Sequence, residues 1–531
     1  MHNNLSTSDE TTLRRALNEI KSGRYEATLP ALETLSNPDS TEALTLKSFC
    51  LAGMGKTEEA ASLLCQVAAL TPLAKHPLEQ LVDIMISQER RNDSLPVCRA
   101  VIKRTPQDAR VYDIMGHVLT QMGELTEAVD IIRQASDLRP DCILSKNTLA
   151  MALAEKGDME EALAILQNTL KQHPDNAATL SNAAIILANT GRFDESLDLY
   201  RRSIYLRPDH AQIRLNHSIA LLKAGRFTQG WTEHEWRLDL PGHTSLPRET
   251  LLPTLTPDTD ISGKRILITQ EEGLGDTLMY LRYIEPLAKR GAIPHLWVPG
   301  TLEELCKRVK GAAHVQVGGS VPEFDWHCPF ISLPRVFAAT EEKWGSPVPF
   351  LSADPVKVKK FTDLMPDNGK LNVGIIWGGS PRPTLVGAHL VDRRRSMHLD
   401  TLAPLGKLRH VNLISVQKGP YAGQTENLPE GMTLYDPTDD LNSMDDTAAL
   451  IMALDVLVSV DTSCVHLAGG LGKPVIMMDR YDNCWRWLHK TSTSHWYPSL
   501  QIVRQEVPRQ WKPVVENVCA ILRKMAREKS K

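Results

Sequence analysis

Six prolines placed 34 residues apart impose a period on the first half of this 531-residue chain. They are Pro38, Pro72, Pro106, Pro140, Pro174 and Pro208, and four of them directly precede an aspartate. Because proline has no amide hydrogen and clashes with the preceding helical turn, each of these positions predicts a helix end. A period of roughly 20 to 50 residues is typical of chains built from stacked repeats rather than from one globular core.

Glycines divide each repeat into two parts. Four of them keep the same period, namely Gly123, Gly157, Gly191 and Gly225. Small or short side chains follow the first three glycines by five positions, at Ala128, Ala162 and Ser196. Each unit is therefore expected to be a helix, a tight turn at the glycine, a second helix and a stop at the proline. This pattern resembles the tetratricopeptide repeat.

The period predicts six units over roughly residues 7 to 208 and a partial seventh unit from His210. Gly23 lies two residues out of register, and position 89 carries glutamate where the period calls for glycine, so the first and third units are expected to be irregular. Stacked helix pairs leave a concave surface that commonly binds a protein partner. The alternative is that the array only oligomerises or spaces the chain.

Composition narrows the class of partner. The chain has 42% apolar and 23% charged residues and a formal net charge of -4, which gives no reason to expect nucleic acid or an anionic membrane as a ligand. The opening residues lack a basic start and an apolar core, and no apolar stretch approaches the length of a membrane span, so a cytoplasmic location is expected. Nine scattered cysteines without a CxxC pair suggest neither a disulfide framework nor a zinc site.

The pattern changes near residue 264 from helix pairs to alternating strands and helices. Alternation of this kind predicts parallel, doubly wound sheets. We predict a repeat array over 1–240, a proline-containing linker or cap over 241–262, and two Rossmann-like halves over 263–365 and 366–531. Ligands of such sheets bind at the carboxyl ends of the strands.

The first glycine turn, EEGLGD, follows the first predicted strand. It contains Gly273 and Gly275 but no third glycine, so a dinucleotide cofactor is weakly supported. Two glycines allow the backbone to approach a ligand closely. Asp276 then either caps a helix over 277–279 or acts as a general base toward a hydroxyl or amide nucleophile.

A second motif, DTSCVHLAGGLGKPV, begins where another predicted strand ends. The helix that opens at Thr462 and Ser463 presents backbone N–H groups and a positive dipole end, which favour a phosphate. Asp461 would repel a phosphate, and it is expected to cap the helix or accept hydrogen bonds from a ribose or sugar hydroxyl. His466 either donates to a phosphate oxygen or fills the floor of the cleft.

A further anion site is predicted after the loop WGGS, at residues 377–380. Three consecutive arginines precede Ser396, and such a run usually forms a solvated loop. Because guanidinium groups bind phosphate in a bidentate manner, we expect Arg395 with Ser396 to reach a diphosphate at the edge of the sheet.

Several segments together carry a resemblance over about residues 262 to 525. They are GLGDTLMYLRY, WGGS followed by DRRRSMHL, SVQK, DDTAALI, SVDTSCVHLAGGLGKPV, WRWL and SHWYPSL. This region resembles the catalytic region of bacterial glycosyltransferases related to the ADP-heptose:lipopolysaccharide heptosyltransferases. Joined to the repeats, the whole chain resembles the bacterial tetratricopeptide-repeat protein glycosyltransferases, including those that modify flagellin.

The resemblance implies a GT-B fold, a nucleotide-sugar donor held mainly by the second half, and transfer without a metal or other cofactor. It places the proposed base of the heptosyltransferases on Asp276, although TLMYLRY departs from the apolar-proline ending usual in those relatives. It also implies donor contacts from Trp377 and Gln417, with core packing as the alternative for Trp377. The donor-binding set expected is Gly273, Gly275, Trp377, Gly378, Arg395, Ser396, Gln417, Asp461, Thr462, Ser463 and His466.

The function predicted from these features is an inverting-type transfer of a sugar to a serine or threonine of a protein client bound by the repeats. Flagellin is the client that the resemblance suggests. Two alternatives remain open. One is a non-enzymatic repeat adaptor with a decayed transferase domain, and the other is a lipopolysaccharide glycosyltransferase that does not need the array.

Overall fold

The computed structural model describes residues 7–72, 74–243, 246–271, 273–340 and 343–531. The chain divides into two compact units. The first unit comprises Met1–Ile186 and Pro381–Val391, and the second comprises Leu187–Ser380 and Asp392–Lys531. Because this division groups residues by packing and not by fold type, the domain borders predicted at residues 240, 262 and 365 stay predictions.

The described residues from Thr7 to His234 form seven pairs of helices, so the unit expected to be partial has both of its helices. The pairs are α1 (Thr7–Lys21) with α2 (Tyr25–Glu33), α3 (Thr41–Gly53) with α4 (Thr57–Leu70), α5 (Pro77–Ser87) with α6 (Arg91–Arg104), α7 (Ala109–Met122) with α8 (Leu125–Leu138), α9 (Ile143–Lys156) with α10 (Met159–Gln172), α11 (Ala177–Asn189) with α12 (Phe193–Leu206), and α13 (Ala211–Lys223) with α14 (Phe227–His234).

The turn inside each pair needs a left-handed residue. Gly123 and Gly157 end their helices with φ of 80° and 109°, a conformation that glycine adopts without steric cost. Glu89 takes the same role in the third pair with φ of 60°. The third pair therefore differs from the others in the residue at position 89 but not in the backbone conformation there, because the turn forms although the glycine is missing.

Small side chains let the helices of a pair approach closely. Ala128, Ala162 and Ser196 are all fully buried, as expected for positions where two helices cross. The predicted tetratricopeptide-like solenoid is thus confirmed as a helical repeat array.

Residues 381–391 pack in the first unit beside the repeats. The Arg91 guanidinium donates to the carbonyl oxygen of Pro383 at 2.6 Å. Nε2 of the buried His389 lies 3.0 Å from the carbonyl oxygen of Gln121. Side chains of the repeats therefore hold this segment by its backbone and by one imidazole.

The first sheet of the second unit is parallel, with strand order β3-β2-β1-β4 among the described residues. Its strands are β1 (Arg265–Thr269), β2 (Ile293–Trp297), β3 (His314–Gln316) and β4 (Trp326–Pro329). The helices that follow β1 in the chain, up to β5, are α15 (Leu274–Tyr280), α16 (Ile284–Lys289), α17 (Glu303–Lys307), α18 (Leu333–Val336) and α19 (Pro355–Leu364). The sequence predicted the first three strands but not β4, which is short and ends in proline.

The second sheet is also parallel, with strand order β10-β9-β8-β5-β6-β7 among the described residues. Its strands are β5 (Leu371–Ile376), β6 (Val411–Ser415), β7 (Leu434–Tyr435), β8 (Val456–Val460), β9 (Val475–Asp479) and β10 (Leu500–Arg504). The associated helices are α20 (Val386–Arg395), α21 (Ala403–Gly406), α22 (Met444–Ala453), α23 (Ser463–Leu471) and α24 (Lys512–Lys529).

Both sheets contain the point at which a doubly wound fold reverses its strand order. In the second sheet this point lies between β5 and β8, and in the first it lies between β1 and β4. Ligands of such folds bind outside the carboxyl ends of the strands at this point. The predicted α/β class with parallel sheets is confirmed, and the carboxyl edges of the sheets are where a site should be sought.

Described residues between the repeats and β1 pack against the first sheet. The amide of the fully buried Leu252 donates to the carbonyl of His327 at 2.8 Å, and Trp231 of α14 donates to the carbonyl of Ala339 at 3.1 Å. The last helix pair thus packs with the α/β residues of its own unit. In the described part of the chain, no helix has both the length and the apolar character needed to cross a membrane.

Candidate functional site

The two glycine-bearing motifs predicted to bind ligand lie against each other. Helix α15 begins directly after Gly273, and α23 begins at Ser463. A Cβ atom at Gly275 would lie 3.0 Å from Cδ2 of His466 and 3.4 Å from Cα of Ser463. Glycine at position 275 therefore permits the close approach of the two helix starts, and the structure brings together Gly273, Gly275, Asp276, Ser463 and His466.

Asp276 lies in the first turn of α15 and forms an ion pair with Arg486. Its side chain is 16% exposed and that of Arg486 is 13% exposed, so the pair is largely shielded from water. Arg486 also lies over the Trp485 ring, at 4.4 Å from the ring centroid. Gly273 occupies the N-cap position, so the structure does not support the interpretation of Asp276 as a cap for a helix over 277–279.

His466 is enclosed by aromatic side chains. Its Nδ1 atom lies 3.0 Å from the Tyr497 hydroxyl, and its ring stacks on Trp487 with centroids 5.2 Å apart. Burial and the nearby Arg486 guanidinium lower the pKa of His466 to about 4, against the opposing effect of Asp461 and Asp276. The imidazole is therefore neutral near pH 7, and its environment favours the floor of the cleft over a cationic contact with phosphate.

Arg395 joins two loops at the reversal point of the second sheet. Its Nη1 atom donates to the backbone carbonyl of Asp461 at 2.9 Å, across the carboxyl ends of β5 and β8. A Cβ atom at Gly379 would overlap its guanidinium, so the WGGS loop lies directly on this arginine. The predicted donor-binding residues Arg395 and Asp461 are thus in contact.

The arginine run closes helix α20 and does not form the solvated loop that such a run usually forms. Arg393 is exposed, whereas the Arg395 side chain is 15% exposed. Its fixed position comes from Asp392, a fully buried carboxylate that accepts from Nε and Nη2 of Arg395 at 3.2 and 3.1 Å. Asp392 was missed from the sequence, although its spacing of three residues from Arg395 is the signal of a shared helix face.

The Ser396 side chain forms a hydrogen bond with the WGGS loop. Its hydroxyl accepts from the Gly379 amide at 2.9 Å and donates to Asp392 at 3.2 Å. The Tyr421 hydroxyl donates to the other carboxylate oxygen of Asp392 at 3.1 Å. One buried acid therefore fixes the serine, the arginine and the glycine loop together.

Gln417, at the end of β6, supports the same loop. Its Oε1 atom accepts from the amides of Trp377 and Gly378 at 3.0 and 2.9 Å. The Trp377 indole is fully buried and donates to Gln424 at 3.0 Å. The structure therefore places Trp377 in the core and gives Gln417 a positioning contact; direct donor contacts by either residue stay predictions.

The start of α23 combines a helix N-terminus with two hydroxyl groups. Thr462 is the N-cap residue, and its hydroxyl lies 3.1 Å from that of Ser459 rather than capping the helix. Ser463 is partly exposed in the first turn. Backbone N–H groups and the helix dipole at such a position favour an anion.

A cluster of buried cations, missed from the sequence, lies after β9. Arg394 and Arg480 contact opposite oxygens of Asp482 at 3.0 and 3.2 Å. Lys223 of α13 donates to Asn189 at 2.8 Å, and burial lowers its pKa to about 8. Burial raises the pKa of Asp482, but Arg394, Arg480 and Lys223 together outweigh it and hold that pKa at about 2. Asp461 and Asp479 also act on Arg480, so acids and cations alternate in this cluster.

The helix pairs form a tetratricopeptide-like repeat array, and the parallel sheets form an α/β region. The tetratricopeptide repeat family matches residues 109–142 and 153–215. Both matches fall in the helical array, which agrees with the repeats deduced from the proline period.

The chain is similar to Protein FlbA of Caulobacter vibrioides (strain ATCC 19089 / CIP 103742 / CB 15). The two are 25% identical over 323 residues, which cover 56% of this chain and 52% of the relative. The chain thus spans about half the length of this curated relative.

Solved structures with similar helices include a tetratricopeptide repeat protein from Parabacteroides merdae ATCC 43184. It is 12% identical, and the match covers 46% of this chain and 96% of that one with a TM-score of 0.32. A second is TTC0263, a thermophilic tetratricopeptide repeat protein of Thermus thermophilus. It is 20% identical, with 34% of this chain and 100% of that one covered and a TM-score of 0.27.

Proposed function

We propose that this chain is a cytoplasmic glycosyltransferase of the GT-B type, which moves a sugar from a nucleotide-sugar donor to a serine or threonine of a protein bound by the repeats. The observation that supports this proposal best is the packing of Gly275 against Ser463 and His466. This packing brings the carboxylate of Asp276 close to the N-terminus of α23. Transfer of a sugar from a diphosphate to an acceptor hydroxyl requires that the base and the anion site lie together.

The donor diphosphate would bind at the second sheet. The N–H groups at the start of α23 and the hydroxyls of Thr462 and Ser463 can donate to its oxygens. Arg395 is held at the same edge by Asp392 and by the Asp461 carbonyl, so it needs little reorganisation to bind an anion. The Asp461 side chain would accept hydrogen bonds from ribose or sugar hydroxyls.

In the proposed reaction, Asp276 accepts the proton of the acceptor hydroxyl. The hydroxyl oxygen forms a bond to the anomeric carbon, while the bond from that carbon to the nucleotide diphosphate breaks. Arg486 occupies one oxygen of the Asp276 carboxylate in the ion pair. In the proposed reaction, Arg486 releases that oxygen as the acceptor binds and turns to the departing phosphate.

Flagellin is the client suggested by the resemblance of the whole chain to repeat-containing glycosyltransferases. The test is the intact mass of flagellin from source cells that carry the wild-type gene, a gene deletion, Asp276→Asn or the control Asp258→Asn. Asp258 is an exposed acid in the segment before β1. We expect a ladder of sugar-sized mass increments with wild type and Asp258→Asn, and its loss with the other two.

An unchanged mass in all four strains would reject flagellin as the client. The purified protein is then offered nucleotide sugars, with release of the nucleoside diphosphate as the measurement. Donor binding by calorimetry without release, in the presence of proteins retained by the full chain, would instead support the non-enzymatic adaptor. Transfer to lipopolysaccharide precursors that is independent of a protein client would support the third alternative.

A further inference from the structure

The last helix pair of the repeat array, α13 with α14, lies in the same compact unit as both sheets. Two large side chains at its end are buried, Trp231 in α14 and Arg237 in the short 3-10 helix Glu235–Asp239 that follows. Neither belongs to the donor site described above. Their contacts lead to the two members of the Asp276–Arg486 ion pair.

Trp231 packs against the two tryptophans that contact Arg486. Its ring centroid lies 5.2 Å from that of Trp485 and 6.4 Å from that of Trp496, and both pairs of rings are nearly perpendicular. The Arg486 guanidinium lies over the Trp485 ring, and the Arg486 carbonyl accepts from Nε1 of Trp496 at 3.0 Å. Perpendicular aromatic pairs and cation–π contacts are both favourable, so Trp231 helps to hold the residue that pairs with the proposed base.

The same aromatic side chains contact the helix that carries Asp276. The ring of Trp496 lies 6.4 Å from that of Tyr280, measured between centroids and again nearly perpendicular. Tyr280 is fully buried and lies one turn after Asp276 in α15. One aromatic cluster therefore joins α14, α15 and the segment after β9. Its members are Trp231, Tyr280, Trp485 and Trp496.

Arg237 holds the chain just after β1 ends. Its Nε and Nη2 atoms donate to Oε2 of Glu271 at 3.1 and 2.8 Å, and Nη2 also donates to the Ser332 hydroxyl at 2.7 Å. The Glu271 side chain is 3% exposed, so water has little access to this pair. Glu271 lies two residues before Gly273, the N-cap residue of α15. The guanidinium thus fixes the chain directly before the helix that carries Asp276.

We propose that Trp231 and Arg237 are positioning residues for the Asp276–Arg486 pair. A catalytic group works only when the packing and hydrogen bonds around it hold its side chain in the productive geometry. Contacts from the end of one helix pair to both sides of the ion pair meet this requirement. The last helix pair then has a role in the reaction besides binding a client. Its effect on turnover rests on the proposed function, whereas its effect on the ion pair does not.

The first test measures the coupling free energy between Asp276 and Arg486 in the full chain. A double-mutant cycle of Asp276→Asn and Arg486→Met gives this energy from urea unfolding followed by circular dichroism. The cycle is repeated in the backgrounds Trp231→Leu and Trp236→Leu. We expect Trp231→Leu to remove about half of the coupling or more. Trp236→Leu is the matched control, because the Trp236 ring lies under Arg214 of α13 at 4.7 Å, and it should leave the coupling unchanged.

Arg237→Lys tests the second contact. Lysine keeps the positive charge beside Glu271 but lacks the planar fork with which arginine donates twice to that carboxylate. We expect a similar loss of coupling, and this variant decides the test if Trp231→Leu does not fold. A residue whose variant keeps the wild-type coupling is not a positioning residue. The absence of coupling in wild type would overturn the proposal for both.

The second test measures turnover, which separates positioning from a general loss of structure. Wild type and variants are offered the hexose conjugates of uridine, guanosine and adenosine diphosphate, and release of the nucleoside diphosphate is recorded. We expect Trp231→Leu to lower kcat about tenfold while the donor KM stays within about twofold of wild type. Trp231→Phe keeps an aromatic contact and should restore most of the rate, and Trp236→Leu should match wild type.

The outcomes of the two tests separate this proposal from the proposed function. Wild-type kcat and KM in Trp231→Leu would overturn the positioning role of Trp231 and leave the proposed function standing. If wild type turns over none of the three donors, that result counts against the proposed function. The coupling measurement then still decides whether Trp231 and Arg237 position the ion pair.

Discussion

Arg486 forms an ion pair with Asp276 although the two residues lie 210 positions apart in the chain. The arginine follows β9 of the second sheet, and the aspartate lies in the first turn of α15 beside the first sheet. Both side chains are more than four-fifths buried. This ion pair therefore adds a charged contact between the proposed base and the edge where the nucleotide would bind.

Breaking this pair from either side should destabilise the fold, because the remaining partner would be a poorly solvated charge. We expect Arg486→Met and Asp276→Asn each to lower the free energy of unfolding by about 1 to 3 kcal/mol. The double variant should lose less free energy of unfolding than the two single variants lose in sum. Urea unfolding followed by tryptophan fluorescence measures all three, and additive losses would mean that the pair contributes no coupling energy.

Arg395 should carry much of the affinity for the nucleotide. Its guanidinium is fixed by Asp392 and the Asp461 carbonyl, and lysine cannot reproduce this planar geometry. We expect Arg395→Lys to weaken binding of a nucleoside diphosphate about tenfold or more by calorimetry. Arg393→Lys is the matched control, since Arg393 is exposed on the same helix. Equal affinities of the two variants would remove Arg395 from the binding site.

The features predicted from sequence are those that local pattern determines. The proline period predicted the helix pairs, and short β-rich runs predicted seven of the ten strands in the described chain. The strands missed, β4, β7 and β10, are short or follow no clear helix signal. Contacts such as Asp276 with Arg486, or Arg394 with Asp482, join residues far apart in the chain. No local pattern could reveal them.

Burial bears on two alternatives that the sequence left open. The side chains of Trp377 and His466 are both buried, which favours packing for each of them, and direct donor contacts by either residue stay predictions. Asp392 could have been found from its helical spacing to Arg395 and Ser396. It was missed because the arginine run was expected to be a loop rather than the end of α20.

Glu89 offers a stabilising substitution. It is exposed and has φ of 60°, where the other repeats use glycine. A left-handed conformation costs an ordinary residue roughly 1 to 2 kcal/mol, and the added flexibility of glycine in the unfolded chain offsets about 0.4 to 1 kcal/mol of the gain.

We therefore expect Glu89→Gly to raise the free energy of unfolding by about 0.5 to 1 kcal/mol. The control Glu59→Gly changes an exposed glutamate inside α4 and should lower it by about 1 kcal/mol. The measurement is the urea midpoint of the repeat transition in the full chain. If both variants lower the free energy of unfolding, the left-handed backbone at position 89 does not cost glutamate the free energy expected.

Acid should weaken the packing around His466. The folded state holds its pKa at about 4, below the ordinary value of 6.5, so between these values the unfolded chain binds the extra proton. Stability from this group is complete above pH 6.5 and is lost as the pH falls toward 4. Asp479 acts in the opposite direction, since burial raises its pKa to about 6 and its folded form takes up a proton first.

The contribution of His466 is therefore isolated by comparing variants. Between pH 7 and pH 4.5, wild type should lose about 2 to 3 kcal/mol more than His466→Gln, which keeps a hydrogen-bonding group but does not titrate. His410→Gln, at an exposed position, should follow wild type. Urea unfolding at the two pH values gives the difference. Equal losses of unfolding free energy in wild type and His466→Gln would show that folding does not lower the pKa of the imidazole.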